Sequence, residues 1–276
     1  MVAAPVSPRT AGVWLRRWDA QQERFAVLCD VVEHVLAEES ERVIVDLGRG
    51  PGSLAARLRD RLPGARIIGI DTDPLLLGLA RAHYGDRVEW LDADLGAPTW
   101  RHQVPATIHA AVSTTALHRL SPDRLAELYR VLGELITPGG VFVNGDHIGL
   151  GDERLDRLVT AIRERRAARA GVEHNEDWAT WWEAARADPE LATLARAGAA
   201  QRGHDDTRLS VDEQTRLLLS AGFSRVTRSG RSVTITYRPR FAEGPAHPER
   251  NPRPPHAKPK PSKSAFPSVI VRILAS

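Results

Sequence analysis

Two hydrophobic rhythms alternate along the chain. Short apolar runs occupy Arg42–Val45, Arg66–Ile70, Val88–Leu91, Ala110–Ser113 and Val141–Asn144. Runs of this length between turn residues predict strands. The stretches between them repeat at helical spacing. Leu125, Leu128, Leu132 and Leu135 share one helical face, and Ser121-Pro122 ahead of them supplies an N-cap hydroxyl and a first-turn proline. Pro63-Gly64 and Pro138-Gly139-Gly140 punctuate the ends of two helices. Wholly apolar strands alternating with helices predict a parallel sheet covered on both faces.

The flanks follow other patterns. Residues 1 to about 12 read as unstructured. Trp14 to Leu36 reads as helical, with Phe25, Leu28, Val32 and Val35 on one stripe. Residues 1–40 are thus expected to form a helical N-terminal cap before an α/β domain over 41–238. After Asn144 the strand rhythm stops. Leu155, Leu158, Val159 and Ile162 mark one helix; Trp178, Trp181, Trp182 and Ala185 mark another, ended by Asp188-Pro189. Residues 151–209 therefore read as a helical insertion after the fifth strand. Ser210 and Glu213 form a capping box before Leu217–Leu219, and Gly222 stops that helix. Residues 239–267 hold nine of the 19 prolines and all three lysines, the composition of a disordered linker or tail. Residues 268–276 include the strand-like run SVIVRIL. Either that run or Ser232–Tyr237 closes the sheet.

Composition narrows the class. The 276 residues are 42% hydrophobic and 26% charged, which excludes disorder of the whole chain. The sequence pI of about 9.4 misleads. Between Arg238 and Lys263 seven basic residues accompany two acidic ones, so the rest of the chain is slightly acidic. A basic tail on such a body argues only weakly for nucleic acid. Cys29 is the one cysteine, which removes intramolecular disulfides and cysteine zinc sites. The N-terminus lacks the apolar stretch of a signal peptide. No window reaches the roughly 18 apolar residues of a membrane helix. The expectation is a soluble, reduced, cytoplasmic protein with no membrane partner.

The chemistry concentrates in VIVDLGRGPGSLAARL, Val43 to Leu58. An apolar strand runs into Asp46, then Gly48, Gly50 and Gly52, then a helix. Glycines in such a bend let a ligand approach the backbone, and the helix N-terminus offers free N–H groups. A dinucleotide fingerprint would place glycine where Ser53 stands, so that pattern fails. The second strand ends at Asp71, 19 residues after Gly52, where an acid can accept both hydroxyls of a ribose. The third ends with Asp92 and Asp94. Polar groups at three consecutive strand tips predict a ligand crevice at the carboxyl edge of the sheet.

An acid two residues before G-x-G-x-G, with these strand tips, resembles the S-adenosylmethionine site of class I methyltransferases. AAVSTTALHRL (Ala110–Leu120) is similar to their fourth strand and substrate-side loop, LITPGGVFVNGD (Leu135–Asp146) to their fifth strand, and LLLSAGFSRV (Leu217–Val226) to their last helix. The likeness covers roughly Glu41 to Val226. WLRRWDAQQERF and EDWATWWEAARADPEL resemble bacterial members of unassigned substrate. The resemblance implies a doubly wound, Rossmann-like, seven-stranded, mostly parallel sheet and S-adenosylmethionine as cofactor. Gly48, Gly50 and Gly52 would shape the cofactor bend, Asp46 orient the methionine end, Asp71 hold the ribose and Asp94 the adenine. Arg49 departs from the small residue or cysteine of many relatives and adds a cation near the cofactor carboxylate.

Methyl transfer needs a positioned nucleophile, and a base only if that nucleophile arrives protonated. His118 after the fourth strand is the first candidate base and His147 after the fifth the second. Each has a plainer role available, His118 at a helix start and His147 on the backbone or the insertion. Trp178, Trp181 and Trp182 line a lid or dock a helix on the sheet. Trp14, Arg17 and Trp18 close over the cofactor or belong to a surface helix. Cys29 reads as a packed thiol. STTA at the fourth strand tip is not the N-P-P-aromatic motif of amino-methylating nucleic-acid enzymes, and no double-glutamate hairpin of arginine methyltransferases occurs. No acid cluster supports magnesium. The expected function is methyl transfer to a small organic molecule, without nucleic acid. A silent cofactor-binding protein and a nicotinamide oxidoreductase stand as alternatives. Oligomeric state is not legible.

Overall fold

The computed structural model describes residues 6–19, 25–146, 152–170, 178–199, 209–229 and 233–238. Strands β1 (Val43–Leu47), β2 (Arg66–Asp71), β3 (Glu89–Asp92), β4 (Ile108–Thr114), β5 (Ile136–Gly145), β6 (Arg225–Ser229) and β7 (Val233–Tyr237) form one sheet in the order β3-β2-β1-β4-β5-β7-β6. The first five run parallel, and β7 is antiparallel to both β5 and β6. Strand order reverses between β1 and β4, the point at which open α/β sheets leave a crevice beyond their carboxyl ends.

Helices cover both faces. Alternation along β1 sends Val45 and Leu47 to one side and Ile44 to the other. Val45 and Leu47 join Ile68, Ile70, Phe142 and Trp100 beneath α5 (Pro122–Leu135) and α9 (Val211–Ser220). Ile44, Ile67, Ala110 and Val143 pack under α2 (Phe25–Val35) and α3 (Ser53–Arg61). A third cluster joins Trp14 and Leu15 of α1 (Pro8–Asp19), Leu75 and Leu79 of α4 (Pro74–Tyr84), Trp181 and Ala185 of α7 (Trp178–Ala187), and Ala195 of α8 (Ala192–Ala199). With α6 (Glu153–Ala170), α7 and α8 lie between β5 and α9 in the chain. No helix among the described residues is long and apolar enough to cross a membrane.

The caps explain where helices begin. Ser121 Oγ accepts from Arg124 N, and Ser210 and Glu213 close the capping box. A third cap corrects the expectation that residues 1 to about 12 lack structure: Ser7 Oγ accepts from Thr10 N at 3.2 Å, Pro8 takes the first helical position, and α1 starts there. Trp14 to Leu36 is two helices, α1 ending at Asp19 and α2 starting at Phe25. Pro138-Gly139-Gly140 lies inside β5 and does not follow α5 as a separate turn. Gly139 takes φ 90° there, and the register with β4 shifts between Ile108 and Ala110. Val233–Tyr237 is the strand that pairs with β5; residues 239–267 and 268–276 lie outside the described residues.

Gly133 marks the closest helix approach. A β-carbon there would stand 1.9 Å from the Ala221 carbonyl oxygen at the end of α9. Backbone cannot yield as a side chain does, so Gly133→Ala is expected to destabilise the fold by about 1–3 kcal/mol in urea unfolding. An unchanged midpoint would contradict that packing.

Candidate active site

The glycine bend is tied to the tip of β2. Gly48, Gly50 and Gly52 all take positive φ (64°, 58° and 89°), a conformation costly for side-chain-bearing residues. Gly50 N donates to Asp71 Oδ2 at 2.8 Å, Asp73 N to Asp71 Oδ1 at 3.0 Å, and Arg49 N to the Ile70 carbonyl at 3.1 Å. Asp71 is half-buried. Each of its oxygens spends one lone pair on an amide and keeps another for a ligand hydroxyl. Asp94 is exposed, and its Oδ1 accepts from Gly96 N at 2.8 Å.

These tips open on a cavity of about 1230 Å³. Gly48, Gly50, Asp71, Asp92 and Asp94 line it from β1, β2 and β3; Thr114, Thr115, Ala116 and His118 line it beyond β4. Asp46 and Gly52 are not on that lining. Asp46 is fully buried, on the α2/α3 face of β1 beside Gly69, and neither of its oxygens has a hydrogen bond of normal geometry. Burial pushes its carboxyl up to about 7, against the opposing pull of the Arg49 cation.

Arg49 turns inward. Its guanidinium lies 4.7 Å over the Trp90 ring, its Cδ stands against Gly69, and Nη1 donates to the Gly50 carbonyl. Nε and Nη2 are buried without a partner among the described residues. Burial lowers the guanidinium to about 10. The cation therefore braces the bend from beneath, over the space that a glycine at 69 leaves open. Gly52 is held against the same Trp90, whose ring a β-carbon at 52 would meet at 2.6 Å.

Across the switch point, β4 and β5 lie side by side. Thr115, at the end of β4, is the one non-glycine residue with positive φ (51°) among those described. It turns the chain into a short 3-10 segment, Leu117–Arg119. Asp146 just past β5 holds that segment twice. Its Oδ2 accepts from His118 N at 2.9 Å, and its Oδ1 lies 2.7 Å from His118 Nδ1. The Asp146 side chain is 2% exposed and the His118 side chain 20%. With Asp146 ionised, its carboxylate only accepts, which places the His118 proton on Nδ1 and makes Nε2 the ring's acceptor atom. His147 lies outside the described residues.

Aromatic side chains form the remaining wall. Trp18, Trp178 and Trp182 line the cavity, whereas Trp181 is fully buried in the α1/α4/α7 core. The two expected roles of the tryptophans are thus divided between faces of α7. Trp18 covers the glycine bend: a β-carbon on Gly50 would meet its ring at 2.8 Å. Cys29 is buried, and burial pushes its thiol up to about 11, which suits packing. Among the described residues no group of three or more acids, histidines or cysteines is placed to hold a metal.

Asp146 and the inward turn of Arg49 escaped the reading of the sequence. A signal for Asp146 existed, since neighbouring parallel strands bring their tips together. None existed for Arg49.

Comparison with known proteins agrees with this geometry. Residues 44–140 match the family model described as a methyltransferase domain. Proteins named trans-aconitate 2-methyltransferase are similar: that of Methylobacterium radiotolerans is 37% identical over 126 residues, 45% of each chain, and that of Escherichia coli 34% over 147 residues, 53% of each. The chain spans about half the length of the curated relatives it matches. A putative O-methyltransferase from Nostoc punctiforme shares the fold at TM-score 0.53 and 14% identity, with 82% of this chain and 60% of that one covered. The sugar N-methyltransferase KedS8 from Streptoalloteichus does so at 0.50 and 13%, with 80% and 91% covered. Over residues 44–140 the chain is thus similar to methyltransferase domains, and its sheet is that of solved methyltransferases.

Proposed function

We propose that this protein transfers the methyl group of S-adenosylmethionine to a small organic acceptor. The observation that carries this reading is the meeting of Gly50, Asp71, Asp94 and His118 on one cavity at the switch point of the sheet. The residues fit the cofactor. Asp71 keeps acceptor capacity for the ribose hydroxyls, Asp94 stands at the third tip for the adenine, and the cavity exceeds an adenosyl group in size. Gly48 and Gly50 present the bend to the cavity for the methionine portion, with Ala116 and the Trp18 ring packed against them, while Asp46 and Gly52 lie behind the lining. When bound, the cofactor supplies a methyl group activated on sulfonium. The chain contributes orientation, exclusion of water by the indole wall, and a proton acceptor at His118 Nε2. A small acceptor is in keeping with the relatives named for trans-aconitate. We place this activity in the cytoplasm, in keeping with the buried, unpaired thiol of Cys29.

Calorimetry with S-adenosylmethionine, S-adenosylhomocysteine and NAD tests the reading. Micromolar binding of the two sulfur nucleosides and none of NAD is expected. Asp71→Ala is expected to weaken that binding by about 1–3 kcal/mol, through lost hydrogen bonds to the ribose. Binding of NAD alone would favour the oxidoreductase. Binding of both sulfur nucleosides, without S-adenosylhomocysteine release in a metabolite screen, would favour a silent binder.

A further inference from the structure

Resting on the methyltransferase reading, we infer that the acceptor is a flat aromatic compound carrying a hydroxyl group, stacked on the α1/α7 indole wall with its hydroxyl at His118 Nε2. Three observations converge. First, the base and the wall flank the same bend. The Ala116 β-carbon, two residues before His118, would be 2.4 Å from a β-carbon on Gly48, and the Trp18 ring 2.8 Å from one on Gly50. Two residues of chain span at most about 7 Å, so the base and the Trp18 ring both line the cavity beside the bend.

Second, the wall is packed on itself and tied to α1. Trp18 lies 4.3 Å from Trp178 and 5.1 Å from Trp181, centroid to centroid, and Trp181 Nε1 donates to the Trp14 carbonyl at 3.4 Å. Trp14 Nε1 donates to Asp188 at 3.0 Å. Trp178 and Trp182, four residues apart on α7, turn to the cavity while Trp181 anchors the helix. Indoles packed together at a ligand cavity favour a planar π-system, which they meet by offset or edge contacts.

Third, an acid-supported histidine is needed only for a proton still in place. A carboxylate acceptor is already ionised at neutral pH, and an aliphatic alcohol gives up its proton to an imidazole only as the new bond forms. A phenolic hydroxyl, with pKa about 10, is the stronger acid of the two hydroxyls, and the indole wall beside it selects the ring that carries it. In the step, the hydroxyl proton passes to His118 Nε2 as the oxygen–methyl bond forms. The carbon–sulfur bond breaks with its electron pair left on sulfur. Asp146 faces the imidazolium, which returns its proton to solvent.

The test measures binding first and turnover second. Calorimetry with the protein saturated in S-adenosylhomocysteine compares catechol, 4-hydroxybenzoate and 2-naphthol with trans-aconitate. Binding of at least one aromatic, and its conversion to a methyl ether with S-adenosylmethionine, is expected. Trp178→Ala should weaken aromatic binding about tenfold, with Trp178→Phe restoring most of it and S-adenosylhomocysteine affinity unchanged. If S-adenosylhomocysteine binds but trans-aconitate alone is bound and methylated, this inference fails while the methyltransferase reading stands. The same holds if Trp178→Ala leaves aromatic affinity intact. If S-adenosylhomocysteine does not bind, both fall.

Discussion

His118→Ala is expected to lower kcat for a hydroxyl acceptor by about 10²–10⁴-fold while leaving S-adenosylhomocysteine affinity in place. The separation follows from geometry. His118 stands on the β4 side of the cavity, and the contacts proposed for the cofactor come from the bend and from Asp71 and Asp94. Added imidazole should restore part of the lost rate in His118→Ala, because the cavity that held the ring remains. Asp146→Asn is expected to lower kcat by about 10²-fold or more, because an amide no longer enforces the Nδ1–H tautomer or balances the imidazolium. Asp146 also holds the His118 amide at 2.9 Å, so far-UV and thermal controls must show that the variant stays folded. Steady-state rates with one accepted substrate decide the matter. Full activity of His118→Ala would show an acceptor that arrives already deprotonated.

Asp46→Asn is expected to remove a slope from the pH dependence of stability. The carboxyl ordinarily titrates near 3.8, and burial raises it to about 7 in the fold. The folded chain therefore holds a proton that the unfolded chain releases. Stability from this group is full below about pH 4 and is lost as pH rises toward 7. The shift corresponds to roughly 4 kcal/mol, with the opposing pull of Arg49 already counted. The difference in unfolding free energy between wild type and Asp46→Asn, followed by urea titration from pH 4 to 8, should move by a few kcal/mol in favour of the variant. Equal slopes for the two proteins would mean that Asp46 is ionised throughout. The variant's affinity for S-adenosylhomocysteine separately reads out the orienting role, which must act through the bend because Asp46 lies behind the cavity lining.

The first five strands were legible because each holds a short apolar run between turn or helix signals, and Ser121-Pro122 and Ser210/Glu213 marked helix starts through contacts within one turn. Pro8 escaped notice although Ser7 repeats the same Ser-Pro signal, because the polar residues around it carry no long apolar stripe. Asp71 and Asp94 could be placed because a strand tip lies at a fixed distance along the chain from the turn it faces. Arg49 could be located in the bend, but its direction could not be read. That direction depends on a void at Gly69 and on the face of Trp90, both on other strands.

Local spacing therefore determined the alternating elements, the glycine bend and the acids at the strand tips, since each is written within a few consecutive residues. The tertiary structure alone decided that Asp46 lies beneath the bend, that Asp146 grips His118 from 28 positions away, and that Trp18 covers Gly50. Those pairings are set by the neighbour each strand or helix meets in space, which a one-dimensional pattern does not encode.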